Sequence, residues 1–299
     1  MIGALFVVLA GFLWALDTLI RYPLLGQISA ERIVFTEHLY LAIIFIPFFL
    51  KNFKDVFDTK ISSFFYFLFI GVFGSAIGTL AFTKAFTILN PSLVILLQKF
   101  QPIVAILLAS LLLKESIKKE FIIWALVCMV GGVLISSPDI FPNLSLLDFK
   151  MVLSEKSLLG YGLTLVAVVS WGASTVFGKK LSLNGYNELQ IMSGRFLFGF
   201  IFMSLYLYSN PALAHFDLVF LTWGKILLMV LLAGLLGMYF YYKGLKTISA
   251  KVCALVEMFF PLSAVAINWI YLGTKLTTLQ ITGAILLVIG SLVIQLKHL

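Results

Sequence analysis

Long apolar runs, each broken by a short polar stretch, set the plan of this chain. Runs of about 20 residues, the length a helix needs to cross the hydrocarbon core, begin near Gly3, Ile33, Ser62, Ser92, Lys119, Leu158, Glu188, Phe220, Lys251 and Thr278. They predict ten transmembrane helices. Turn residues punctuate them: Asn90-Pro91 between the third and fourth, Asn184-Gly185 between the sixth and seventh, Asn210-Pro211 between the seventh and eighth. One longer link, residues 138–157, carries Pro138, Asp139, Pro142, Asn143, Asp148, Lys150 and Glu155. It reads as a connector, with a short interfacial segment at Leu144 to Leu153, between a first unit at 1–137 and a second at 158–299.

Composition excludes a soluble globule. Hydrophobic residues make up 62% of the 299 positions and charged residues 11%, against roughly a quarter charged in soluble domains. The net charge of +8 falls mostly between the apolar runs, so it reports topology and implies no nucleic-acid partner. With Lys99 and Arg195 set aside as intramembrane, Lys and Arg divide 12 against 7 in favour of the side that holds both termini. The positive-inside rule makes that side the cytoplasm. The first run lacks a basic n-region and reads as helix one rather than a cleaved signal. Cys128 and Cys253 both lie in apolar runs, which supports neither a disulfide nor a metal site.

The chain also repeats itself. A shift of 157 residues pairs Gly3 with Gly160, Ala10 with Ala167, Trp14 with Trp171, Thr18 with Thr175 and Glu31 with Glu188. A shift of 159 then pairs Gly78 with Gly237, Lys84 with Lys243, Phe100 with Phe259, Pro102 with Pro261 and Gly131 with Gly290. Five helices per copy is an odd number, so the two copies must insert in opposite orientations. The expected fold is all-α, with ten transmembrane helices in two inverted five-helix repeats.

Pro102 with LLLKES at Leu111 to Ser116 and WALVCMVGGVLI at Trp124 to Ile135, and Pro261 with YLGTKLTTLQITGAILLVIGSLVI at Tyr271 to Ile294, stand at the ends of the two halves. These segments resemble the drug/metabolite transporter superfamily, in particular its EamA-type members. Arg195 in GRFLFG matches an arginine that members tend to carry early in the second helix of a repeat; the first copy has His38 there. The resemblance implies eight helices around a central cavity, the fifth and tenth outside, and alternating access by rocking of the repeats. It favours export.

Trp14, Asp17, Thr18 and Arg21 share one face of the first helix, and Trp171, Ser174, Thr175 and Gly178 repeat the stripe. Such faces avoid lipid and are expected to look inward. Seven ionisable residues lie in or near the spans: Asp17, Glu37, Lys84, Lys99, Arg195, Lys243 and Glu257, with His38 an eighth. Lys99 and Glu257 are deepest and are expected to line a pathway; Gln98 and Gln101 share a helical face, and Gln98 aligns with Glu257. Lys99 is rotated about 100° from Gln98, toward a different neighbour. Arg195 suits a carboxylate or phosphate clamp, or anchors a helix through neighbouring carbonyls. Lys84 and Lys243 sit where they can snorkel. Asp17 is expected to bind a substrate amine, to carry a coupling proton, or to pair with Arg21 or a lysine. Tyr239 and Tyr242 add a stacking surface with the tryptophans. Gly74 to Gly78 has the spacing of a close-packing motif.

The expected substrate-contact set is therefore Trp14, Asp17, Thr18, Gln98, Lys99, Gln101, Trp171, Thr175, Arg195, Tyr239, Tyr242 and Glu257, with Asp17 and Glu257 as coupling-proton candidates. No metal and no cofactor is implied. The reading is a secondary carrier of small polar metabolites, amino acids or related zwitterions first, in the cytoplasmic membrane of a bacterium, as monomer or homodimer among membrane lipids. No nucleotide-cradling loop is present. The rivals are an intramembrane enzyme acting on a lipid-linked substrate, which lacks a recognisable catalytic motif here, and a non-transporting receptor or assembly factor.

Overall fold

A computed structural model describes residues 2–51, 61–113, 117–140, 154–213, 219–245, 256 and 259–297. Within them the chain is helical and strand-free. The helices are α1 (Ile2–Leu24), α2 (Ala30–Lys51), α3 (Ile61–Ala85), α4 (Pro91–Leu97, Gln98–Phe100 and Gln101–Leu113 in succession) and α5 (Lys119–Ile140). The second half has α6 (Glu155–Leu183), α7 (Glu188–Tyr208), α8 (Phe220–Met229, Val230–Gly237 and Met238–Leu245), α9 (Phe259–Leu272) and α10 (Thr278–Lys297). Nine of these are long and apolar enough to span a membrane, and α9 is a shorter apolar helix. The protein is a multi-pass membrane protein. In hydrocarbon every backbone N–H and C=O must find its partner within the protein, which helices achieve alone.

Local sequence sets the helix starts. Asn90 caps α4 by accepting a bond from the Ser92 amide, with Pro91 supplying a first helical residue that needs no donor. Asn187 and Gln190 form a reciprocal capping box at α7. Gly185 takes a positive φ of 96° in the turn before it. Both α5 and α6 extend into the predicted connector, while the interfacial segment expected at Leu144 to Leu153 lies outside the described residues.

The inverted relation between halves is visible in packing. Helices α5 and α10 form the most extensive pair. A methyl group placed on Gly131 would lie 2.7 Å from the Gly283 carbonyl oxygen, and one on Gly290 would lie 2.6 Å from Cys128 Sγ and 3.1 Å from the Trp124 carbonyl oxygen. The sequence offset of 159 carries Gly131, Trp124 and Cys128 onto Gly290, Gly283 and Leu287. Each contact thus recurs with the halves exchanged. Close approach through small residues is how such helices associate without a hydrophobic drive from water. Exposed Ile122, Ile123, Leu126, Met129, Val133, Ile285 and Ile289 cover the outer side of this pair, and α5 and α10 stand outside the other helices.

A second symmetric feature lies deeper. In both α3 and α8 one stretch widens to π-helical winding, at Ile70–Ile77 and Val230–Gly237. The Gly78 amide accordingly bonds the Phe73 carbonyl, five residues back. Wide turns of this kind are uncommon and concentrate at functional places.

Candidate functional site

Pro102 shapes the fourth helix where it meets the bundle centre. Proline has no N–H to give to the carbonyl four residues back, that of Gln98. The Gln101 amide bonds this carbonyl instead, and Gln98–Phe100 tightens into a 3-10 turn. Side chains three apart eclipse in such a turn, and Gln98, Lys99 and Gln101 all line one cavity of about 350 Å³. The turn stacks Gln98 over Gln101, and Lys99 lines the same cavity. Its ammonium stands 5.5 Å from the centroid of Phe260.

The remaining walls are Trp14 and Asp17 from α1, Phe82 from α3, Trp171 from α6, Ala233 from α8 and Phe260 from α9. Six helices thus contribute, in three pairs that the repeat relates: α1 with α6, α3 with α8, and α4 with α9. The two tryptophans occupy equivalent places. Trp14 Nε1 donates to the Ala233 carbonyl at 3.0 Å, and its ring meets Tyr241 at 5.5 Å and Phe260 edge-on at 6.1 Å. Trp171 meets Phe82, the counterpart of Tyr241, at 5.0 Å. Each indole rests on a glycine of the opposite half: a methyl on Gly237 would lie 2.6 Å from Trp14 Nε1, and one on Gly78 2.9 Å from Trp171 Nε1. Those glycines end or directly follow the π-helical stretches.

Asp17 is bound as well as exposed to the cavity. Arg21 Nε and Nη2 donate to its two oxygens at 2.6 and 3.0 Å. The same guanidinium donates twice to Glu37 of α2, at 3.0 and 2.5 Å, and once to Thr83 Oγ1 of α3, at 3.1 Å. All five N–H donors of Arg21 are used. Glu37 and Arg21 are buried, as is Thr83, and the cluster ties three helices of the first half together. Lys84, expected to snorkel, pairs with Glu31 of α2 at 2.6 Å. Exposed Lys243 lies over the rings of Phe6 and Tyr239.

Other expected residues lie apart from the cavity. Thr18, on the same stripe as Trp14 and Asp17, is buried without lining the cavity. Thr175 is exposed and returns its hydroxyl to the Trp171 carbonyl at 3.0 Å. Arg195 donates to the Gly74 carbonyl at 2.9 Å and anchors α7 on α3. Tyr239 is 57% exposed on the outside of α8. Glu257 and the Tyr242 side chain lie outside the described residues. Sequence reasoning passed over Phe82, Ala233 and Phe260 as generic apolar positions; for Phe260 the signal was its equivalence with Gln101 at the offset of 159. Among the described residues no group of three or more His, Cys, Asp or Glu is arranged to hold a metal ion.

The sequence model of the EamA-like transporter family matches residues 1–137 and again residues 158–296. The chain belongs to this family. Its EamA fold also appears in a solved crystal structure that is 15% identical, with a TM-score of 0.61 over 99% of this chain and 96% of that one. The riboflavin transporter ImpX of Fusobacterium nucleatum subsp. nucleatum is 32% identical over 295 residues, 96% of this chain and 95% of that protein. The protein PecM of Dickeya dadantii is 25% identical over 203 residues, 68% of this chain and 64% of its own. An EamA-like chain with this cavity is a small-molecule transporter.

Proposed function

We propose that the protein is a secondary carrier for a flat aromatic heterocycle of the riboflavin type. It works by alternating access in the cytoplasmic membrane of a bacterium, with both termini in the cytoplasm. The cavity is the observation that carries this reading. Four aromatic rings, Trp14, Phe82, Trp171 and Phe260, surround three amide or amine side chains in a space of about 350 Å³, within the roughly 300–1,000 Å³ of small-molecule sites. A flavin has matching parts: an apolar tricyclic plane, a polar ring edge and a chain of hydroxyls.

Charges of both signs within the bundle would suit amino acids or related zwitterions, but they are partly spent on each other, because Arg21 holds Asp17 with two bonds. The wall that remains is chiefly flat and apolar, which suits a stacked ring better than an ammonium and carboxylate pair. The net direction, expected outward on the resemblance, follows the gradients in any reversible carrier. Asp17 faces the cavity and the Arg21 cluster at once, so it is the group that links a coupling proton to substrate.

Purified protein in liposomes preloaded with unlabelled riboflavin should drive transient accumulation of labelled riboflavin from outside. Amino acids in large excess should not reduce it. Accumulation of labelled amino acids with none of riboflavin would overturn the substrate reading in favour of zwitterions. Because riboflavin is neutral, proton coupling predicts a transport current in the same liposomes, and Asp17→Asn should abolish the current while riboflavin exchange continues. Equal current per riboflavin in both proteins would remove Asp17 from the coupling path.

A further inference from the structure

We infer that the 3-10 turn of α4 reads a cyclic imide, the CO–NH–CO edge of a pyrimidinedione ring, with Gln98 as the acceptor of the imide N–H; this rests on the substrate reading above. The carboxamide oxygen of Gln98 is buried and accepts no hydrogen bond from the described residues. A buried acceptor without a donor carries a desolvation penalty that a leucine at this position would avoid. Gln98 nevertheless lines the cavity. Its last torsion is broad and roughly two-fold, so a rotation presents the oxygen to a bound ring.

The neighbours on the turn complete the pattern. An imide edge presents acceptor, donor, acceptor. Gln101 and Lys99 offer N–H donors and Gln98 an acceptor, and all three line the same cavity. Among the described lining residues no other set offers a comparable edge. Asp17 spends both oxygens on Arg21, and the other lining residues are Trp14, Phe82, Trp171, Phe260 and Ala233. The ring must therefore enter with its polar edge toward α4 and its apolar end toward the aromatic residues.

Binding of riboflavin and of N3-methylriboflavin to the purified protein, followed by quenching of flavin fluorescence, tests this. The wild-type protein is expected to bind the methylated flavin at least about tenfold more weakly. Gln98→Leu should weaken riboflavin by a similar factor and bind the two flavins equally, while its thermal midpoint without flavin stays at or above that of the wild type. Equal wild-type affinities for the two flavins would overturn the imide assignment and leave flavin transport standing. A Gln98→Leu protein that is well folded and still discriminates would transfer the role away from Gln98. Binding of neither flavin to wild-type protein would overturn the substrate reading and the assignment with it.

Discussion

Arg21→Met is expected to leave almost no folded protein in the membrane. The substitution keeps an unbranched apolar stem and removes the one cation that, among the described residues, is bonded to both Asp17 and Glu37. Two carboxylates would then face each other in the bundle interior without compensation, and the tie to Thr83 would be lost. Breaking a buried ion pair by deleting one partner costs about 3–5 kcal/mol, a large part of the roughly 5–15 kcal/mol that holds a folded protein together. Abundance of a monodisperse peak, measured by fluorescence-detected gel filtration of a tagged protein, should fall to background.

The same cluster predicts its own rescue. Replacing all members of a buried ionic group by neutral residues of similar size is often neutral or stabilising. The triple variant Asp17→Asn, Arg21→Met, Glu37→Gln should therefore recover much of the lost abundance, though not proton-coupled current. Glu37→Gln alone leaves a balanced Asp17–Arg21 pair and should fold as well as the wild type. If the single Arg21→Met protein is as abundant as the wild type, the cluster is not an energetic brace. Its counterpart positions in the second half, Ser174, Gly178 and Gly194, carry no charge, so the bracing belongs to the first half alone.

Periodicity and repeat made the fold readable, because a transmembrane helix announces itself by length and an inverted repeat by residues that are costly to match by chance. Helix starts expected at Lys119, Glu188, Phe220 and Thr278 fall where α5, α7, α8 and α10 begin. The site was legible where one helical face carried it, as for Trp14 and Asp17, and where depth singled out Lys99. Partner choice was not legible. Nothing in the spacing of Arg21, Glu37 and Thr83, on three different helices, says that one guanidinium joins them. Ideal helical geometry also pointed Lys99 toward a different neighbour, yet Lys99 and Gln98 line the same cavity, which takes walls from six helices. The stretch from Gly74 to Gly78 read as close packing; a side chain on Gly74 would indeed collide with Ser174, and Gly78 in addition supports an indole of the cavity.

That support leads to the second large effect. Gly78→Leu and Gly237→Leu should each preserve a folded protein and strip it of most of its affinity for a stacked ring. In both cases the first atom of the new side chain would fall on an indole, at 2.9 Å from Trp171 Nε1 or 2.6 Å from Trp14 Nε1. The new atom would also stand 3.0 Å from the Phe73 carbonyl oxygen at Gly78 and 3.3 Å from that of Leu232 at Gly237, but the indole is closer and yields by leaving its place in the cavity wall. Trp14 would also lose its bond to the Ala233 carbonyl. Stacking on one aromatic side chain contributes about 1–3 kcal/mol, so flavin binding should weaken by roughly 5-fold to 100-fold for each variant. The causal chain runs from glycine to tryptophan to ring, and a double-mutant cycle examines it directly. With Trp171 already replaced by alanine, adding Gly78→Leu should cost little more. The same should hold for Gly237→Leu on a Trp14→Ala background. Additive losses in both cycles would mean that the glycines serve the helix winding of α3 and α8 rather than the tryptophans.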